Sequence, residues 1–254
     1  MNTDKKIQIL EELTANAWSP EISQVLDGWH MGYSRGVTWR ANSVFPIGDY
    51  GRYTLKEKLS FVEDFYKRFK HYPTFKLTKA SQPSELEAEL VKRGYVSSDL
   101  TEVRISNANE TMDNTISVLP CPARIETNLT DEWFDFYVRS SGYSEIGIEV
   151  RHGVLERIGS VKGFAMVEIE AELAAVGLGI IERGWLGIYC MATTTDQRRL
   201  GGATQVLNSL AEWGLSQGSE KMYLQVEADN DPAKRLYTRA GFEFLHSYQY
   251  WKKT

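Results

Sequence analysis

Residues 185–205, WLGIYCMATTTDQRRLGGATQ, and 230–242, NDPAKRLYTRAGF, decide how this chain folds. Trp185–Thr193 is an apolar, β-prone run and reads as a strand. It passes through Thr194-Thr195-Asp196-Gln197 into Arg198-Arg199-Leu200-Gly201-Gly202-Ala203, where a helix opens. Ala203, Val206, Leu207, Leu210, Ala211 and Gly214 mark that helix's buried face, and Gly218 ends it. A strand over Lys221–Val226 follows, then a short helix over Asp231–Arg239 that stops at Gly241-Phe242. A strand running into a glycine-rich helix start has the physics of an anion site. Helix N-termini leave N–H groups free and carry partial positive charge. Gly201 and Gly202 let backbone approach a phosphate, and Arg198 and Arg199 add charge beside it. Taken alone, the hexapeptide is equally a glycine-rich turn with surface arginines.

Working outward, Phe164–Ile169 and Leu173–Glu182 read as strands preceding Trp185–Thr193, with a turn at Glu182-Arg183-Gly184. Phe242–Trp251 reads as a last strand, and Asp131–Ser140 and Ser84–Arg93 as helices. Leu55, Leu59, Val62, Phe65 and Phe69 recur at steps of three and four, with Thr54 as N-cap and Glu63–Lys67 and Asp64–Arg68 pairs outside. One internal likeness stands out. Placing Gly94 on Gly241, an offset of 147, also sets Phe75 and Leu77 on Met222 and Leu224, Leu55 on Gly202, and Val44 on Met191. Four elements align without a gap, which implies two copies of one α/β unit. The expected domains are 1–110 and 123–254, joined by a polar, proline-broken linker at 111–122.

Composition narrows the function. With 254 residues there is room for two modest cores. A net charge of −5 argues against general nucleic-acid binding. No apolar run approaches a membrane span, and MNTDKKIQILEELTANAW lacks the apolar centre of a secretion signal. Two cysteines, Cys121 and Cys190, without metal-type spacing fit a reduced, cytoplasmic protein, with Cys190 read as a buried strand thiol.

Arg-x-x-Gly-x-Ala at 198–203 and Asn-x-x-Ala-x-x-Leu-Tyr-x-x-x-Gly-Phe at 230–242 together resemble the GNAT superfamily of N-acetyltransferases in order, separation and context. The element order carries the resemblance back to about Ala123. It implies an α/β (α+β) fold with a mixed sheet: two GNAT-like units, each a central, mostly antiparallel sheet flanked by helices. It implies acetyl-CoA as co-substrate, lying between two splayed strands, and no metal. Arg198, Arg199, Leu200, Gly201, Gly202, Ala203 and Thr204 would hold the pyrophosphate. Met191, Ala192 and Thr193 would bond the pantetheine arm, and Asn230 would bind from the other side. Tyr237, which alone would read as a core aromatic, matches the family's general acid for the leaving thiolate. Acid catalysis of this kind typically contributes roughly 10²–10⁴-fold. Ala203 stands where the family more often has glycine, and Thr193-Thr194-Thr195 is more polar than the usual strand end.

No general base is legible; Glu227 and Glu145 are candidates, each readable as a solvated carboxylate. At the 147 offset Tyr237 falls on Leu90, Asn230 on Pro83, and Gly201-Gly202-Ala203 on Thr54-Leu55-Lys56, so the N-terminal copy is expected to be degenerate. Its run Gly36–Val44, GVTWRANSV, resembles a segment in one branch of tandem GNAT proteins. Arg40 and Asn42 are expected on one strand face, structural in preference to lining an acceptor cleft. The reading is an acetyl-CoA-dependent N-acetyltransferase acting directly on a small-molecule primary amine, with a homodimer left open. The alternative is a non-catalytic acyl-CoA sensor or structural module. A dinucleotide oxidoreductase would need Gly-x-Gly-x-x-Gly after an early strand, which is missing.

Overall fold

The computed structural model describes residues 2–116, 119 and 122–253. In chain order the first elements are α1 (Thr3–Ala17), β1 (Ile22–Leu26), β2 (Trp29–Tyr33), β3 (Val44–Pro46), α2 (Leu55–Lys67), β4 (Thr74–Leu77), α3 (Leu86–Lys92), β5 (Tyr95–Asn107) and α4 (Ala108–Asn114). Then come β6 (Arg124–Glu126), α5 (Asp131–Arg139), α6 (Glu145–Glu156), β7 (Val161–Ile169), β8 (Glu172–Glu182) and β9 (Trp185–Thr193). The last are α7 (Gly202–Ser216), β10 (Lys221–Glu227), α8 (Asp231–Arg239) and β11 (Glu243–Lys253). The chain forms two compact units, and they interleave. One holds Met1–Thr101, Glu149–Ile158 and His246–Thr254; the other holds Glu102–Ile148 and Gly159–Leu245.

In the first unit the strand order is β1-β2-β3-β4-β11. Only β3 and β4 run parallel; β1–β2, β2–β3 and β4–β11 are antiparallel. The β1–β2 turn is Asp27-Gly28, both with positive φ, the conformation a tight hairpin demands. α2 starts at the Thr54 capping box and lays Leu59, Val62, Phe65 and Tyr66 against Trp29, Met31, Val44, Phe75 and Leu77. Trp251 of β11 completes this core, with its backbone in register with Phe75.

In the second unit the order is β5-β10-β9-β8-β7-β6, antiparallel from β6 to β9 and parallel between β9 and β10. α7 buries Val206, Leu207, Leu210 and Ala211 on one face of the sheet. Its approach is set by Gly177 of β8, where a Cβ would come within 2.5 Å of Val206 Cγ1. On α5, Trp133 Nε1 donates to the carbonyls of Ala165 and Gly177, both at 3.2 Å, tying that helix to β7 and β8.

This is the mixed α/β class expected. The 147 offset also has a structural counterpart. α2 and α7 begin at Leu55 and Gly202, β4 and β10 at Thr74 and Lys221, and β3 and β9 end at Pro46 and Thr193. In each unit the parallel pair is the corresponding one.

Three expectations need correction. Residues 111–114, read as the start of a linker, belong to α4, which packs into the second unit. Thr111 and Thr115 are buried, and Asn208 Nδ2 donates to Met112 O and Thr115 Oγ1. Residues 117, 118, 120 and 121, including Cys121, lie outside the described residues. Arg40 and Asn42 are not on a strand: Trp39–Ala41 is a single 3-10 turn. The Asn42 side chain accepts from the amides of Ser34 and Gly36 and donates to the carbonyls of Ser34, Val37 and Thr38, a structural role. Glu63 meets Arg93 at 3.2 Å, a partner beyond its own helix.

Because β11 closes the first unit's core, Trp251→Ala should destabilise the protein by about 3 kcal/mol. Hydrogen exchange should then accelerate in β3 and β4, far away in sequence. Acceleration confined to residues 243–253 would contradict this packing.

Candidate active site

The parallel pair β9–β10 sets the geometry. Its register runs from Trp185↔Lys221 to Ile188↔Leu224 and stops there, while β9 continues to Thr193 and β10 to Glu227. The C-terminal ends of the two strands are thus unpaired with each other. A bulge reinforces the divergence. Val176 faces Ala192 and Leu178 faces Tyr189, so Cys190 and Met191 together oppose Gly177 alone, and Cys190 takes a φ of 50°. Met191 turns onto the α7 side, where its sulfur would lie 2.7 Å from a Cβ at Gly177. Met191, Ala192 and Thr193 are half-buried. Nothing in the sequence marks this bulge apart from the glycine opposite it.

The segment after β9 turns at Thr194–Gln197, where the Gln197 amide donates to Thr194 O. Arg199 and Gly201 adopt positive φ, 68° and 94°. Gly201 is the N-cap of α7, and no side chain caps that end. The first intrahelical bond is Gln205 N to Gly201 O at 2.9 Å, so the amides of Gly202, Ala203 and Thr204 point out of the helix start without an intrahelical acceptor. Arg198, Arg199 and Leu200 are exposed beside them. Gly202 is needed sterically, since a Cβ there would stand 2.9 Å from Ala175 Cβ.

α2 in the first unit starts differently. Thr54 accepts from the Glu57 amide at 3.3 Å, and Glu57 Oε2 accepts from Thr54 N at 2.8 Å and Thr54 Oγ1 at 2.7 Å. The Thr54 hydroxyl and amide hold the Glu57 carboxyl below its usual range, so a built-in anion sits at this helix start. The carbonyl of Pro46, at the end of β3, is likewise taken by Gln82 N at 2.9 Å.

α8 supplies the remaining expected residues. Asn230 Oδ1 caps the helix by accepting from Ala233 N at 3.2 Å. Tyr237 is the one buried residue of α8, 7% exposed, edge-on to Phe242 at 6.0 Å between centroids. It shares an apolar cluster with Ile188, Leu224 and Val226 of β9 and β10. Burial pushes its hydroxyl up to about 12, so it stays protonated through the neutral range. Glu227 and Glu145 are both exposed, at the end of β10 and the start of α6. The structure therefore brings the β9 end, the α7 start, Asn230 and Tyr237 into one unit. It also shows a feature the sequence reading missed: the hydroxyls of Tyr189 and Tyr223, on adjacent strands, meet at 2.7 Å.

Among the described residues, no group of three or more His, Cys, Asp or Glu could hold a metal ion, and no helix is long and apolar enough to cross a membrane.

Comparisons with known proteins bear on this geometry. A family described as "Probable histone acetyltransferase Rv0428c C-terminal" matches residues 4–251. The uncharacterized N-acetyltransferase YobR of Bacillus subtilis is 27% identical over 250 residues, covering 96% of this chain and 97% of its own. Among solved structures, a GCN5-related N-acetyltransferase from Kribbella flavida aligns with a TM-score of 0.71 at 12% identity, over 97% of this chain and 95% of that one. A tandem GNAT protein from the clavulanic acid biosynthesis pathway aligns with a TM-score of 0.65 at 11% identity, over 96% and 86%.

Gly202→Ala should destabilise the protein by about 1–3 kcal/mol, because neither Ala175 nor the first turn of α7 can give way cheaply. Chemical denaturation measures this, and unchanged stability would mean that α7 does not sit so close to β8.

Proposed function

Since the chain belongs to the Rv0428c C-terminal acetyltransferase family, within the GNAT superfamily, we propose that it moves an acetyl group from acetyl-CoA directly onto a primary amine, using the second unit alone. The observation that carries this reading is the start of α7: an uncapped helix N-terminus with a left-handed glycine at the open end of a parallel strand pair. Three free amides and two exposed arginines suit a pyrophosphate in charge and approach. The half-buried backbone of Met191–Thr193 and the amide of Asn230 would line the two sides of a pantetheine arm.

The chemistry then needs little from the protein beyond position and one donor. The amine nitrogen attacks the thioester carbonyl, the C–S bond breaks, and negative charge grows on sulfur. The Tyr237 hydroxyl makes no hydrogen bond to the described residues, so it is free to donate to that sulfur. A thiol near 8.5 is a stronger acid than a tyrosine at about 12. Tyr237 therefore works first as a hydrogen-bond donor to the developing thiolate, and regains from solvent any proton it gives up. The amine sheds its proton to water; neither Glu227 nor Glu145 has surroundings that would single it out as a base. A net charge of −5 favours a cationic amine as acceptor.

The first unit reads as a degenerate copy of the second. Glu57 and Thr54 occupy the helix start that would receive phosphate, Gln82 takes the strand-end carbonyl, and Leu90 stands where Tyr237 would be.

Tyr237→Phe keeps the ring and removes the donor. With a panel of amines and release of free CoA thiol as the readout, kcat should fall roughly 10- to 1,000-fold while acetyl-CoA affinity stays unchanged. Because burial raises the Tyr237 hydroxyl, the wild-type enzyme should show no alkaline loss attributable to it between pH 7 and roughly 10. Full turnover per folded molecule in Tyr237→Phe would reduce Tyr237 to a core aromatic.

A further inference from the structure

We propose that Glu102 and Arg104 of β5 are positioning residues that hold α8 so that the Tyr237 hydroxyl points at the reacting sulfur; this rests on the reading of Tyr237 as the donor. α8 has nine residues and buries only one of them. A helix that short does not hold itself in water, and its apolar contacts, Tyr237 with the half-buried Ala233 and Leu236, hold one face of it only. Rotation matters most here, since a 1 Å misplacement of a reacting group can cost roughly 10²-fold.

Polar contacts from β5 reach a neighbouring face of α8, that of Lys234 and Thr238. Arg104 Nη1 donates to Thr238 Oγ1 at 2.8 Å and to Phe242 O at 3.3 Å. The amide of Phe242 in turn donates to Tyr237 O at 2.9 Å. The guanidinium is thus two hydrogen bonds from the backbone of Tyr237 and one from the side chain next to it. Glu102 holds the guanidinium in place, accepting from Arg104 Nε at 2.8 Å. Its other oxygen faces Lys234 Nζ at 4.0 Å, and Lys234 donates to Ala228 O and lies 3.3 Å from Asp231. One carboxylate therefore links the cation at the C-terminal end of α8 to the cation at its N-terminal end. Both side chains are largely buried, 19% and 14% exposed, so solvent screens them only in part. These residues precede the stretch first read as a linker, so the N-terminal half of the sequence supplies the brace for the donor of the other half.

The test is a pair of double-mutant cycles with free-thiol release, using Arg104→Met, Thr238→Val and Tyr237→Phe alone, and Arg104→Met and Thr238→Val each combined with Tyr237→Phe. Arg104→Met should lower kcat about 10-fold with KM for acetyl-CoA changed less than about twofold, and in the Tyr237→Phe background it should lower kcat by less than about twofold. Thr238→Val, exposed and safe for folding, should show the same pattern at about threefold, and it carries the test if Arg104→Met does not fold. An undiminished effect of either substitution in the Tyr237→Phe background, or no effect on kcat in the wild-type background, overturns the brace alone. Loss of no activity in Tyr237→Phe itself overturns the donor reading, and the brace with it. Fluorine NMR of 3-fluorotyrosine at position 237 gives a readout without turnover: one sharp line in the parent, shifted or broadened by Arg104→Met. An unchanged line overturns the brace.

Discussion

Three amide N–H groups at the start of α7 have no acceptor within the helix, and the second unit is arranged around keeping them that way. Gly201 takes a left-handed conformation that no capping side chain accompanies. Gly202 lets the first turn lie against Ala175, closer than any Cβ would allow. The bulge at Cys190–Met191 bends β9 just where its pairing with β10 ends. Each feature costs local stability: the glycines lose more conformational freedom on folding than other residues, and Cys190 in the bulge takes a left-handed backbone that its side chain disfavours. The cost is offset by α7's apolar face, which packs on Gly177 and its neighbours. The first unit solves the same problem in the ordinary way, with a threonine and a glutamate that satisfy the helix start from within.

That contrast turns on a few atoms. At the internal offset, Gly201 corresponds to Thr54 and Thr204 to Glu57. Thr54 and Glu57 form a capping box at one helix start, while Gly201 and Thr204 leave the other without a side-chain cap, and the strand and helix boundaries correspond. The interleaving of the units has a related consequence. β11 brings Trp251 into the core of the first unit, and residues 102–107 bring β5 beside β10 in the second. A strand that begins in the first unit thus ends against the helix that carries Tyr237, where Arg104 meets Thr238.

Much of this was legible in the residues. β9 and α8 have the bounds that their residues predict, because a strand followed by paired glycines and an Asn-Asp-Pro start are strong local signals. The Thr54 cap and the Gly218 stop were legible for the same reason. The unread parts depend on non-local contacts. The Cys190 bulge exists only relative to β8. α4 looked like a linker because Asn-Ala-Asn-Glu-Thr-Met is polar, yet Thr111 and Thr115 are buried by contacts within the second unit. Asn42 sits in a run that looks extended, but five hydrogen bonds to its side chain fold that run into a turn. The contacts of Glu102 and Arg104 with α8 appear only once β5 is beside β10.

The central claim is that one helix start is open to a pyrophosphate and its counterpart is shut. Titration calorimetry with acetyl-CoA tests it most directly. The account predicts one molecule bound per chain, with binding lost in Gly202→Glu and pantetheine binding far more weakly because it leaves the α7 amides unfilled. A stoichiometry near two, or full affinity for pantetheine, would contradict it.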